Sequence, residues 1–276
     1  KTAMGGADVA GANNIAIGTT SMDALTTGAS NVALGLNALG ASTTGCQNIA
    51  IGDSPLSGAD TTGIDNIALG TAAMDALTSG ACNIALGKAA LGAQTDGCDN
   101  IAIGKSALAA SVNDADNNIA IGTTALGGAD VSGANNIALG TTSMDALTSG
   151  ACNIALGINA LGAATDNCDN IAIGQSALAA SVNDGDNNVA IGKTAMGGAD
   201  VSGVSNIAIG ETSADALTTG YRNIAIGCNS FGAATTGCWN LAIGGNAMGE
   251  GVTTGNDNIG IGHNSADALT SGACNI

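Results

Sequence analysis

The sequence predicts an all-β chain, a parallel β-solenoid (β-roll) of 17- to 18-residue coils, and three observations carry that reading. First, the pentapeptide Asn14-Ile15-Ala16-Ile17-Gly18 returns, with single substitutions, at Asn31, Asn48, Asn66, Asn83, Asn100, Asn118, Asn136, Asn153, Asn170, Asn188, Asn206, Asn223, Asn240, Asn258 and Asn275, nine times after 17 residues and six times after 18. A fixed period of this length marks stacked coils, each packing mainly on its neighbours. Second, two branched aliphatics in each coil flank a small residue, the period-2 alternation of a short strand. Third, 276 residues contain one Trp, one Tyr and one Phe against 44 Gly, so there is little with which to fill a thick core. The core must be narrow.

Counting each coil from its Asn, position 2 is Ile, Val or Leu and position 4 is Ile or Leu, whereas position 3 is Ala in fourteen of fifteen coils, with Gly260 the exception. Large apolar side chains usually fill an interior, so we assign positions 2 and 4 to the inside of the coil and Ala to the outside. Position 5 is Gly from Gly18 to Gly262, which requires either positive φ or no room for a Cβ, and the strand of about four residues ends there. Position 9 is usually Leu or Met, and all six Met (Met4, Met22, Met74, Met144, Met196, Met248) occupy it, as suits a flexible filler of a narrow core. With Ala or Ser at position 8, this segment reads as a second short strand. Leu25, Leu77, Leu147, Leu217 and Leu269 add core contacts in the Asp-Ala-Leu coils, and Thr, Asp, Asn, Ser and Gly at positions 13 to 17 make the return turn. A helix is the competing reading of segments such as Met22 to Leu25, but between Gly18 and Gly28 it is too short to stand without packing. The Asp-Ala-Leu coils recur after 52, 70, 70 and 52 residues, whole numbers of coils, as a stack in register requires.

Sixteen such coils, advancing roughly 4.8 Å each, make a rod on the order of 75 Å long. The position 1 Asn side chains are expected to form an amide ladder along it. The outward column Ala16, Ala33, Ala50, Ala68, Ala85, Ala102, Ala120, Ala138, Ala155, Ala172, Ala190, Ala208, Ala225 and Ala242 admits nothing larger than methyl, which predicts a flat partner. Further copies of the chain packed about one axis would cover it.

A net charge of −17, with 22 Asp or Glu against 5 Lys or Arg, argues against nucleic acid or an anionic membrane surface as partner. No apolar run approaches the roughly 20 residues that span a bilayer, so membrane insertion is not expected. The chain begins within a repeat at Lys1 and ends one residue into another at Ile276, so we read it as a single continuous array, residues 1–276, excerpted from a longer fibre.

Asn-Ile-Ala-Ile-Gly and Asn-Ile-Ala-Leu-Gly, followed by x-x-Ala-Leu and a Thr-Thr-Gly turn as in Asn31 to Cys46, resemble the head repeats of trimeric autotransporter adhesins and the similar repeats of phage tail-fibre proteins. The resemblance covers the whole chain. It implies a left-handed roll assembled as a homotrimer, acting as head or shaft of an adhesin or receptor-binding fibre on a cell or virion surface. The coils here are longer than the usual autotransporter head coil, no coiled-coil stalk is present, and the Cys content departs from the pattern.

Eight Cys fall at phased sites: Cys46, Cys98, Cys168 and Cys238 at position 16, Cys82, Cys152 and Cys274 at position 17, Cys228 at position 6. Cys82 with Cys98, and Cys152 with Cys168, sit at nearly the same corner of consecutive coils and are expected as inter-coil disulfides, with buried free thiols as the alternative. No C-x-x-C or His partner suggests a metal site at these Cys. Asp114, Asp116, Asp184 and Asp186 offer oxygens suited to Ca2+, but neither segment matches a known calcium loop, and solvated turn carboxylates are the competing reading. His263 stands alone at a variable position. No nucleophile and base pair is apparent, so neither catalysis nor a cofactor is expected. Tyr221, Arg222 and Trp239 gather in two adjacent coils with the composition of a contact patch, while Phe231 falls on the core position 9.

Together these observations predict a structural or adhesive fibre segment, extracellular, whose partners are itself as a homotrimer and a surface receptor or glycan. An ice-binding solenoid and a monomeric solenoid polymerising end to end are the alternatives. Against the first, paired threonines such as Thr19-Thr20 and Thr141-Thr142 occur in some coils only.

Overall fold

The computed structural model describes residues 3–5, 9–112, 115–182 and 185–276 and is a parallel β-solenoid without helix among them. It divides into two compact units, Lys1–Asn135 and Asn136–Ile276. The first holds β1 (Ile15–Ile17), β2 (Val32–Leu34), β3 (Ile49–Ile51), β4 (Ile67–Leu69), β5 (Ile84–Leu86), β6 (Ile101–Ile103) and β7 (Ile119–Ile121). The second holds β8 (Ile137–Leu139), β9 (Ile154–Leu156), β10 (Ile171–Ile173), β11 (Val189–Ile191), β12 (Ile207–Ile209), β13 (Ile224–Ile226), β14 (Leu241–Ile243) and β15 (Ile259–Ile261). Within each unit every strand pairs in parallel with the next in chain order, position on position, as Ile84, Ala85 and Leu86 pair with Ile101, Ala102 and Ile103.

One strand per coil is observed, three residues long, where two strands were expected. The reason is backbone conformation. Positions 7 and 9 are left-handed throughout, as at Ala89 (φ 54°) and Leu91 (φ 51°), so the chain bends where a second strand would have to extend. Inter-coil hydrogen bonds persist there nonetheless: the Leu91 N–H donates to the Ala107 carbonyl at 3.0 Å.

Position 5 glycine meets both expectations. At Gly87 φ is +139°, and a Cβ would lie 2.4 Å from the Gly104 carbonyl oxygen of the next coil. Only glycine tolerates both conditions.

The amide ladder forms as expected. In the first unit Asn83 Oδ1 accepts the Asn100 N–H at 3.0 Å, while Asn83 Nδ2 donates back to Asn66 Oδ1 at 3.1 Å and to the Gly97 carbonyl at 2.7 Å. The same arrangement recurs at Asn153 and Asn223. These side chains are fully buried or nearly so, and each satisfies groups that the tight corner leaves without strand partners.

A second inter-coil device went unread in the sequence. The Asp of an Asp-Ala-Leu coil reaches back to the preceding 18-residue coil: Asp75 Oδ1 accepts the Ser57 hydroxyl at 2.9 Å and the Asp75 carbonyl accepts the Gly58 N–H at 3.0 Å, while the backbone N–H groups of Gly198 and Gly197 favour the charged form of Asp215. A Cβ on Gly198 would lie 2.6 Å from Asp215 Oδ2, and one on Gly58 would lie 2.7 Å from Asp75 Oδ2. Gly58 before Asp75 and Gly198 before Asp215 therefore leave room for the carboxylate of the next coil, while Glu250 stands at the same position before Asp267.

Candidate interaction surfaces

The strand faces are the reverse of the sequence expectation. From Ala33 to Ala242 every alanine of the position 3 column is 0% exposed within the chain itself. Where Gly260 interrupts the column, an added Cβ would meet Met248 Cε at 3.0 Å and Ser265 Oγ at 3.2 Å, so position 3 points at positions 8 and 9. The interior is already occupied by residues such as Leu91, Leu108, Met144 and Leu161, with Leu77 and Leu147 beside them, all fully buried. Only a methyl group fits between those side chains and the strand. Ala33, Ala50, Ala68, Ala85, Ala102, Ala120, Ala138, Ala155, Ala172, Ala190, Ala208, Ala225 and Ala242 are therefore core, with Ala16 half-buried at the first strand, and the assignment of this column to an oligomer interface is corrected.

The branched residues at positions 2 and 4 take the outer face. In-register stacking covers their flanks, yet Ile51, Ile103 and Ile224 each remain 37% exposed and Ile17 61%. Each unit thus carries two parallel columns of Ile, Leu and Val, with a coil-to-coil step of roughly 4.8 Å. Positions 1 to 5 carry no charge in any coil. The result is an apolar stripe without a charged side chain on it, the kind of surface that a partner covers.

One corner of the coils carries the remaining candidates. Position 17 or 18, the residue before the ladder Asn, is left-handed in every coil and is held by Asn, Asp, Ser, Gln or Cys in all but two. The two are Arg222 (φ 55°) and Trp239 (φ 62°). The structure brings together the three residues singled out in the sequence: the Arg222 guanidinium lies 4.6 Å from the Trp239 ring centroid and 6.0 Å from that of Tyr221, and the two rings meet edge to face at 6.4 Å and 77°. Phe231 is buried, as position 9 requires.

All eight cysteines are free thiols in the structure, so neither expected disulfide is present. Adjacency does hold: Cys98 Sγ accepts the Ala81 N–H at 3.4 Å, immediately before Cys82, and Cys168 Sγ accepts the Ala151 N–H at 3.4 Å, immediately before Cys152. Desolvation, then the carboxylates of Asp99 and Asp65 and the neighbouring Cys98, push the Cys82 thiol above its usual pKa and hold it protonated. The first thiol of the pair is thereby slowed as a nucleophile.

Of the residues considered for Ca2+, Asp114 and Asp184 lie outside the described residues. Asp116 Oδ1 accepts the Cys98 N–H, and Asp186 Oδ1 the Cys168 N–H, each at 2.7 Å. These carboxylates tie an 18-residue coil to the one before it, as Asp200 does through the Val182 N–H. Among the described residues no three ligating side chains converge on one point. His263 is exposed. No protein-family model and no curated protein sequence matches the chain.

Proposed function

We propose that this chain is a structural and adhesive fibre segment, an extracellular β-roll that associates with two further copies of itself and presents its corner turns to a receptor or glycan. The observation that supports association is the outward pair of aliphatic columns at positions 2 and 4. A partner that covers such a stripe along its length must itself repeat at the coil spacing, and a second copy of the same solenoid does so by construction. The 22 acidic residues stay off positions 1 to 5 and do not oppose that contact directly. The number three, the left-handed sense of the roll, and the setting on a cell or virion surface rest on the resemblance of the Asn-Ile-Ala-Ile-Gly coils to adhesin heads and tail fibres.

Mass in solution tests the proposal. Sedimentation equilibrium is expected to return three times the 26.0 kDa of the chain. Replacing Ile103, Ile121, Ile173 and Ile191 together by Thr is expected to give a monomer with the wild-type circular dichroism spectrum, because these side chains contribute little to the interior. A monomeric wild type at tens of micromolar would overturn the assembly. An assembly that survives the four substitutions would overturn this face as its seat.

A further inference from the structure

We propose that Tyr221, Arg222 and Trp239 form a binding site for an acidic saccharide, a sugar bearing a carboxylate. Three observations converge on this one corner. The chain has a single Arg, a single Tyr and a single Trp, and all three side chains meet here on consecutive coils. Arg222 and Trp239, with Tyr221 beside them, are placed on a left-handed corner where the other coils use small or polar residues, and a bulky side chain such as Trp239 at φ 62° adopts that conformation only at an energetic cost. Burial offers no return for that cost, since Tyr221 remains 40% exposed and Trp239 remains 49% exposed with the guanidinium against it. The cluster contributes little to the core, so its chemistry faces solvent.

That chemistry is specific. An Arg stacked on an indole keeps its in-plane N–H groups free, and a planar fork of donors fits a carboxylate with two parallel hydrogen bonds. Among the described residues Arg222 has no ion pair, although the chain carries 22 acidic residues. Contact with the Trp239 ring face holds the guanidinium in place before any ligand arrives, which lowers the ordering cost of binding. The exposed rims of Trp239 and Tyr221 supply apolar surface for the C–H face of a pyranose ring, and the Tyr221 hydroxyl a donor and acceptor for its hydroxyls. A simple anion would use only the Arg, and a neutral sugar only the rings. A carboxylated sugar uses both. The corner residue of the next coil, Asp257, follows Trp239 and lies two coils from Arg222, about 10 Å along the stack, so the carboxylate is expected at the Arg222 end. This site does not depend on whether the rolls associate.

The single Trp makes the test direct, because intrinsic indole fluorescence reports on this corner alone. Titrating the full chain with 3′-sialyllactose is expected to give a saturable change in Trp239 emission. Lactose and sodium acetate at equal concentration and ionic strength are each expected to bind at least about tenfold more weakly, the loss that follows from removing one charge-assisted hydrogen-bonding partner. Arg222→Ala should abolish the response and Arg222→Lys should weaken it, with circular dichroism unchanged in both. Absence of any response to 3′-sialyllactose or to a glucuronate disaccharide would overturn the proposal. Acetate binding as tightly as the acidic sugars would reduce the corner to an anion contact and overturn the saccharide. A response that persists in Arg222→Ala would overturn the assigned residues.

Discussion

Replacing Asn83 by Ala tests whether the amide ladder holds the coils together. Asn83 is fully buried, and its side chain makes four hydrogen bonds: to Asn66 Oδ1, to the Gly97 carbonyl, and from the Asn100 backbone N–H and Asn100 Nδ2. Two of the partners keep an alternative, since Asn66 Oδ1 still receives the residue 83 backbone N–H at 3.0 Å and Asn100 Nδ2 still reaches the Ala115 carbonyl. The Asn100 N–H and the Gly97 carbonyl lose the contact described for them. At about 1–3 kcal/mol for each buried group left unsatisfied, the substitution costs about 2–6 kcal/mol. In a stack whose stability is a sum over coils and interfaces, that loss is local, so amide exchange should accelerate first in the coils on either side of residue 83. Asn83→Asp sharpens the test. It places a carboxylate against two acceptors, and the damage should ease on acidification as the side chain recovers a proton to donate. Urea denaturation of both variants measures the cost, with exposed Lys88→Ala as a control expected within about 0.5 kcal/mol of wild type. A cost below about 0.5 kcal/mol for Asn83→Ala would refute the ladder as a stabilising element.

The orientation of the strand is checked by a contrasting pair: Ala155→Leu overpacks the interior and should cost at least about 1–3 kcal/mol, whereas Ile154→Thr on the outer face should leave the fold of the isolated chain largely intact. The reverse order would restore the outward alanine column. Asp215 gives a pH signature. Desolvation raises its pKa, against the N–H groups of Gly198 and Gly197 which lower it, so the folded state binds the proton more tightly than the unfolded chain. This carboxylate's contribution therefore worsens as pH rises from the ordinary carboxylate range through the raised value and is constant above it. Asp215→Asn should be the more stable protein at pH 7, by a margin that vanishes at low pH, and a margin independent of pH between 3 and 7 would contradict this. For the thiols, we expect oxidation with diamide to close Cys82 to Cys98 and Cys152 to Cys168, lowering the titratable thiols of the denatured, unreduced chain from eight to four. A count that stays at eight would show that the corners are too far apart.

The coil length, the parallel stack, the glycine turn and the amide ladder were legible because each follows from a residue type that nothing else explains at that position. The facing of the strand was not. Alternation at period 2 separates Ile84 and Leu86 from Ala85 but does not say which side is inside, and the usual rule that large residues fill cores pointed the wrong way. Leu91 carried the missing information: the interior of a coil this size is already filled by position 9, joined in the Asp-Ala-Leu coils by residues such as Leu77 and Leu147, which leaves no space for the strand's branched side chains. The expected second strand failed for a related reason, since left-handed Leu and Met residues such as Leu91 and Met144 have no sequence signature to set them apart from extended ones. The Tyr221, Arg222 and Trp239 cluster was legible from register alone, because residues 17 apart in consecutive coils stack.

The reversal changes what would drive the proposed assembly. With alanine outward, a partner would have been needed to exploit close approach between flat sheets. With Ile and Leu outward, the drive is apolar area itself, and burying the exposed third of one such side chain contributes roughly 0.5–1 kcal/mol. Summed over two columns and several coils, that is ample to offset the entropy of association. The narrow interior is the cause. Because position 9 and the strand alanines fill the coil, any larger strand residue must point outward, and a strand of three residues with alternating faces then presents two branched side chains to solvent in every repeat. A solenoid of this cross-section can keep its β-branched strand formers only by exposing them, so the same dimension that makes the coil stable makes an uncovered strand face unfavourable.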